Sequence, residues 1–127
     1  FVAGADISQF GESRSTAEGI LAYETATEVA FNAIADAQKP TIAMIRGFCI
    51  GGGIVVSSAC DIRICADDAR FGVPAGRLGL GFELDNLIRL QSLVGRGVAM
   101  EMLATARHYT AIEAAGVGYV LALLTRR

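Results

Sequence analysis

Apolar positions in this chain recur at helical spacing over several stretches and bunch into short runs between them. Leu21, Val29, Ala33 and Ala37 fall on one helical face, and the alanine-rich surroundings favour that state. Ser15-Thr16-Ala17-Glu18 matches a capping box with Ser15 as N-cap and Glu18 at the third helical position, so a helix is expected from there to about Ala37. Lys39-Pro40 ends it, and the apolar, partly β-branched run from Thr41 to Arg46 reads as a buried strand.

A further strand-like run leads into Gly51-Gly52-Gly53, and Ile54 to Ala59 reads as a short buried helix despite its β-branched residues. Asp61 to Ala66 alternates as a strand, Asp67-Asp68 is a turn, and Arg70 to Val73 is another short strand. Gly76, Gly79 and Gly81 punctuate a loop. Helical period returns from Leu84 to Val94, is stopped by Gly95, and resumes from about Gly97 to Leu103. Thr110-Ala111-Ile112-Glu113 is a second capping-box match, opening a helix that Gly116 or Gly118 closes, and Tyr119 to Leu123 reads as a final strand. Strands and helices interleave, which is the mark of an α/β chain.

Length and charge narrow the function. With 127 residues there is room for one domain with a real core, and a 53% hydrophobic composition excludes disorder. The 11 basic and 13 acidic residues leave a net charge of −2 with no basic block, which argues against nucleic acid or an anionic membrane as partner. No apolar run is long enough to span a bilayer and no secretory signal is visible, so a cytoplasmic location is expected. Cys49, Cys60 and Cys65 are odd in number and lack C-x-x-C spacing, which suits free thiols in a reducing compartment. His108 is the only histidine, so no metal site is expected. The chain opens at Phe1 inside an element and closes on Arg126-Arg127 directly after a strand-like run, which suggests a piece of something longer.

The triple glycine carries the candidate chemistry. Glycine lets backbone turn sharply and lets another group approach closely, and a helix start presents free N–H groups to negative charge. No Gly-Lys-Ser/Thr follows and G-x-G-x-x-G spacing is absent, which excludes the common phosphate loops. An oxyanion site and a purely structural strand–helix turn both remain open on the residues alone.

A resemblance bears on that choice. Phe1-Val2-Ala3-Gly4-Ala5-Asp6-Ile7, Lys39-Pro40-Thr41-Ile42-Ala43, Gly47-Phe48-Cys49-Ile50-Gly51-Gly52-Gly53, Cys60-Asp61-Ile62-Arg63-Ile64-Cys65-Ala66, Phe71-Gly72-Val73-Pro74 and the Thr110 to Gly116 stretch resemble, in order and spacing, the motifs of the enoyl-CoA hydratase/isomerase (crotonase) superfamily. The resemblance covers nearly the whole chain. It implies a crotonase-like (ClpP/crotonase) α/β spiral of ββα units, here the core portion only. Residues 1–127 would form a single core domain without the family's N-terminal strands and C-terminal helices, in a homo-oligomer of trimer or hexamer type. It implies an acyl-CoA thioester as ligand, coenzyme A entering as part of the substrate with no tightly bound cofactor. The Ala5 and Gly52 N–H groups would hold the thioester oxygen as it becomes an enolate. Ala3, Gly4, Ala5, Asp6, Ile7, Gly51 and Gly52 would line the coenzyme site, with the loop at Ala3 near the adenine and Asp6 bracing the loop.

The departures are as informative. The family's two hydratase glutamates fall at Val55 and Ala75, and neither can move a proton. Glu83 is the remaining acid in a catalytic position, similar to that of an aspartate in dienoyl-CoA isomerases and aryl-CoA dehalogenases. Helix capping is its competing role, and Asp85 competes for the same cap. Arg77 and Arg89 are candidates for ligand phosphates or acids, and His108 for a structural place. The expectation is a proton-shuttling isomerase using Ala5, Gly52 and Glu83. The alternative is a non-catalytic acyl-CoA-binding or assembly module of the same fold.

Overall fold

The computed structural model describes residues 1–125; Arg126 and Arg127 lie outside the described residues. Two three-stranded sheets carry the architecture. In one, β1 (Ile42–Ile45) pairs parallel with β3 (Ile62–Ala66), which pairs parallel with β6 (Ala122–Leu124). In the other, β2 (Phe48–Ile50) pairs parallel with β4 (Arg70–Gly72), which pairs antiparallel with β5 (Tyr109–Thr110). Gly47, at φ +61°, turns the chain from β1 into β2.

Each pair of strands then feeds a helix. β1 and β2 lead into α3 (Gly52–Ala59), while β3 and β4 lead into the short α4 (Ala75–Leu78) and then α5 (Leu84–Thr105). The second ββα unit lies beside the first, strand for strand, with Ile42 opposite Ile62 and Phe48 opposite Arg70. Upstream, a 3-10 turn (Ile7–Gln9) and α1 (Phe10–Ser13) precede α2 (Ala17–Ala35), which packs on α3, and α6 (Ala111–Gly116) follows β5. Ile45, Cys49, Ile54, Cys65, Phe71, Leu90 and Tyr119 form the buried centre.

Several expectations hold at residue level. Gly95 sits at φ 82°, ψ 166° and breaks α5 where helical period was expected to stop. The Thr110 capping box is complete: Thr110 Oγ1 accepts from the Glu113 N–H at 3.2 Å, and Glu113 Oε2 accepts from the Thr110 N–H at 2.8 Å. Others need correction. The N-cap of α2 is Thr16, whose hydroxyl accepts from the Gly19 N–H at 3.0 Å. Ser15 instead donates to the Glu12 carbonyl at the end of α1. The inward stripe of α2 is Tyr23, Thr27, Phe31 and Ile34, whereas Leu21 and Val29 are 65% and 64% exposed. β1 is buried on one face only, with Ala43 and Ile45 inside and Ile42 and Met44 outside. The segment around Gly76 is helical rather than a loop.

Two features hold α3, on which the site depends. At its start Gly53 meets the backbone of Val2 so closely that an added Cβ would lie 2.3 Å from the Val2 carbonyl oxygen. That same oxygen accepts from the Ile50 N–H at 2.9 Å, and Val2 bridges to Cys49. At its end the buried Arg63 guanidinium donates to the carbonyls of Ser57 and Cys60 at 3.2 and 2.6 Å, and to the Tyr119 carbonyl at 2.8 Å. A cation there satisfies carbonyls the helix cannot and complements its negative pole. The buried Tyr119 hydroxyl adds contacts to Ser57, Ser58 and the Ile54 carbonyl at 2.6, 3.1 and 3.2 Å. Cys49 Sγ lies 3.4 Å from Ser57 Oγ in the same buried group, and burial pushes its thiol pKa up to about 11.

Gly53→Ala is therefore expected to destabilise the chain by about 2 kcal/mol or more, because the clash is with backbone. Gly97→Ala, at a helical position with open space around it, should stabilise by about 0.5–1 kcal/mol. Urea denaturation of the two variants checks both signs. Alkaline pH gives a third test. A thiol whose folded pKa is raised from 9.0 to about 11 keeps its proton in the folded chain while the unfolded chain loses it. Stability should thus fall as pH rises above about 9, by about 2–3 kcal/mol at pH 11 from this group. The fall should shrink in Cys49→Ala, measured as the urea midpoint against pH.

Candidate active site

The start of α3 is built to leave donors unused. Gly51, at φ 56° and ψ −110°, is the N-cap and offers no side chain to the helix. Its carbonyl accepts from the N–H groups of both Ile54 and Val55, at 2.9 and 3.2 Å. The N–H groups of Gly52 and Gly53 have no acceptor among the described residues. Beside them lies the loop from Ala3 to Ile7. Gly4 turns at φ 104°, and an added Cβ at Gly52 would sit 3.8 Å from Gly4 Cα and 4.0 Å from the Ala5 nitrogen. The Ala5 N–H also lacks an acceptor among the described residues. Two sequence-distant donors are thus brought together by glycine-only approaches.

Both residues line one cavity of about 390 Å³. Ala3, Gly4, Ile7 and Gly51 line it as well. Asp6 does not; its carboxylate turns back to accept from the Ser8 N–H at 3.0 Å and the Ser8 hydroxyl at 2.6 Å. Those two hydrogen bonds hold its pKa below the ordinary aspartate value, and they cap the 3-10 turn that follows the loop. This is a bracing position.

Val55 and Ala75 both face the cavity, so alkyl groups occupy its wall where the resemblance would place carboxylates. Glu83 lines the cavity too. It is the N-cap residue of α5 by backbone position, but its side chain makes no capping bond. Its Oε2 instead accepts from Asn86 Nδ2 at 3.3 Å. Glu83 also borders a second recess of about 350 Å³ that holds Glu24, Glu28, Asp85 and Arg89. Asp85 faces only that recess, and Arg89 is held there by Asn32 Oδ1 at 2.7 Å and Asn86 Oδ1 at 3.5 Å. Arg77 lines neither space, and His108 packs edge-on against Phe48, with ring centroids 6.2 Å apart.

Sequence reasoning missed the opposite wall. Tyr23, Thr27 and Phe31 of α2 face the cavity, and Arg14 joins them with its guanidinium 4.3 Å from the Phe10 ring centre and 4.9 Å from that of Tyr23. The four-residue spacing of Tyr23, Thr27 and Phe31 was the available signal, but the competing aliphatic face at Leu21 and Val29 obscured it. Among the described residues no helix is long and apolar enough to cross a membrane, and no group of three or more His, Cys, Asp or Glu is placed to hold a metal.

Successive ββα units with a glycine-capped helix at the centre define a crotonase-like core. The chain belongs to the enoyl-CoA hydratase/isomerase family, whose model matches residues 1–127. It is 41% identical over 120 residues to a short-chain-enoyl-CoA hydratase of Clostridium acetobutylicum, covering 94% of this chain and 45% of that protein. It is 44% identical over 93 residues to a peroxisomal Delta(3,5)-Delta(2,4)-dienoyl-CoA isomerase of Arabidopsis thaliana, covering 73% of this chain and 34% of that one. A solved structure of an enoyl-CoA hydratase/isomerase family protein from Hyphomonas neptunium superposes with a TM-score of 0.95 at 38% identity, over 99% of this chain and 48% of the other. The chain thus spans under half the length of these relatives.

Proposed function

We propose that this chain binds an acyl-CoA thioester and stabilises its enolate, with the Ala5 and Gly52 N–H groups as the oxyanion donors. The observation that carries this reading is the meeting of two backbone donors, without an acceptor among the described residues, on the wall of a largely apolar cavity. Donors fixed before the reaction stabilise charge that develops only in the transition state, by about 3–4 kcal/mol each where this has been measured by removal. Apolar walls around them strengthen that effect by excluding water. The substrate supplies coenzyme A, and no tightly bound cofactor takes part in the proposal.

The reaction favoured is double-bond isomerisation. A base takes a proton from the carbon α to the thioester carbonyl, and the electrons move into the carbonyl as an enolate conjugated with the neighbouring double bond. The proton returns at the far carbon of that conjugated system, so that the double bond moves toward the carbonyl. Among the described residues, Glu83 is the one carboxylate bordering the donor-bearing cavity. Hydration is disfavoured because Val55 and Ala75 supply no group to activate or position water. Those same two side chains support a second reading, a chain that binds acyl-CoA without turning it over. The relatives include proteins named as hydratases and as dienoyl-CoA isomerases, so both chemistries are worth assaying.

Turnover of 3-enoyl-CoA and dienoyl-CoA thioesters, followed by absorbance, is the first test. Glu83→Gln is expected to lower the isomerisation rate by about a hundredfold or more while leaving thioester binding intact. Unchanged turnover in that variant removes Glu83 from the mechanism, and calorimetric binding without turnover in the parent chain favours the second reading. The parent chain is also expected to hydrate crotonyl-CoA poorly. A Val55→Glu/Ala75→Glu double variant should gain about a hundredfold or more in hydration, and rapid hydration by the parent chain would overturn the role given to these two positions.

A further inference from the structure

The cavity contains one cationic side chain, Arg14, that no carboxylate among the described residues neutralises. Of its lining residues only Arg14 and Glu83 are charged. The two do not pair: the ion pairs among the described residues are those of Arg107 with Glu101 and Glu113, and Arg14 stacks on Tyr23. No carboxylate lies within salt-bridge distance of Arg14 among the described residues, and its guanidinium donates no hydrogen bond to them.

The guanidinium is nonetheless held. It lies against the rings of both Phe10 and Tyr23, at 4.3 and 4.9 Å from their centres. Cation–π contact of this kind fixes orientation without consuming the N–H donors. A half-buried, oriented guanidinium with all its donors available, facing an apolar cavity, is a receptor for a group with anionic oxygens.

We infer that Arg14 receives an anionic oxygen group of the bound thioester, a carboxylate on the acyl portion or a phosphate of its coenzyme, and so helps set which thioesters the cavity accepts. This rests on the acyl-CoA reading above. It gives the cavity three kinds of group: an anion receptor at Arg14 against Tyr23, the backbone donors of Ala5 and Gly52, and the acid Glu83.

Three thioesters separate the sources. Crotonyl-pantetheine carries neither phosphate nor acyl carboxylate, glutaconyl-pantetheine carries only the carboxylate, and crotonyl-CoA carries only the phosphates. Binding of each to the 127-residue chain and to Arg14→Gln is measured by calorimetry, with Arg14→Lys as the variant that keeps the charge. Arg14→Gln is expected to weaken either glutaconyl-pantetheine or crotonyl-CoA by about ten- to a hundredfold, with crotonyl-pantetheine unchanged and partial recovery in Arg14→Lys. The probe affected names the anion. Equal affinities in parent and Arg14→Gln chains, or an equal loss on all three probes, would overturn the inference, the latter by showing that Arg14 only shapes the cavity. Failure of the parent chain to bind any of the three would overturn the acyl-CoA reading and this inference with it.

Discussion

The candidate site depends on a place where two stretches of backbone touch with no side chain between them. Gly53 lies against the Val2 carbonyl at a distance that no Cβ could share, while that same carbonyl accepts from Ile50. The contact seats the N-terminal strand residue on β2 and thereby lays the Ala3 to Ile7 loop across the start of α3. Were it looser, the Ala5 loop would lose its close approach to Gly52. The glycine run is a packing requirement first, and the oxyanion role proposed for it rests on that packing.

The far end of α3 matters for the same reason. Arg63 is buried, yet it faces backbone carbonyls rather than a carboxylate. The cation therefore compensates the negative pole of the helix inside the protein and leaves the positive pole facing the cavity. Tyr119 ties this arrangement to the segment before β6, so the strand that closes the first sheet also steadies the helix. A helix of only eight residues is marginal by itself and has to be held at both ends.

Much of this was legible in the residues, and the gaps have physical causes. Punctuation by Gly95 and the Thr110 capping box read true because each acts locally, through φ or through a hydrogen bond three residues away. The cap of α2 shifted by one residue because Ser15 and Thr16 are equally able caps, and Ser15 is engaged by the end of α1. The inward face of α2 was misassigned because a cavity wall is not a core. There Tyr23, Thr27 and Phe31 face open space, and the more aliphatic positions face outward. Arg63 was hidden for the opposite reason: in an alternating strand the charged residue took the inner face, which only the waiting carbonyls of α3 make tolerable. Arg14 could not be singled out at all, since its stacking partners come from two different helices.

The donors at Ala5 and Gly52 have one property that the side chains around them lack. A backbone N–H belongs to every residue type but proline, so substitution at either position leaves the donor in place as long as the neighbouring glycines keep their geometry. Carboxylates enjoy no such protection, since a single substitution removes one. Over a lineage, the charge-stabilising part of such a site is inherited with the fold, while the proton-handling part is free to be lost, moved or rebuilt. A chain of this kind keeps its backbone donors whatever becomes of its carboxylates.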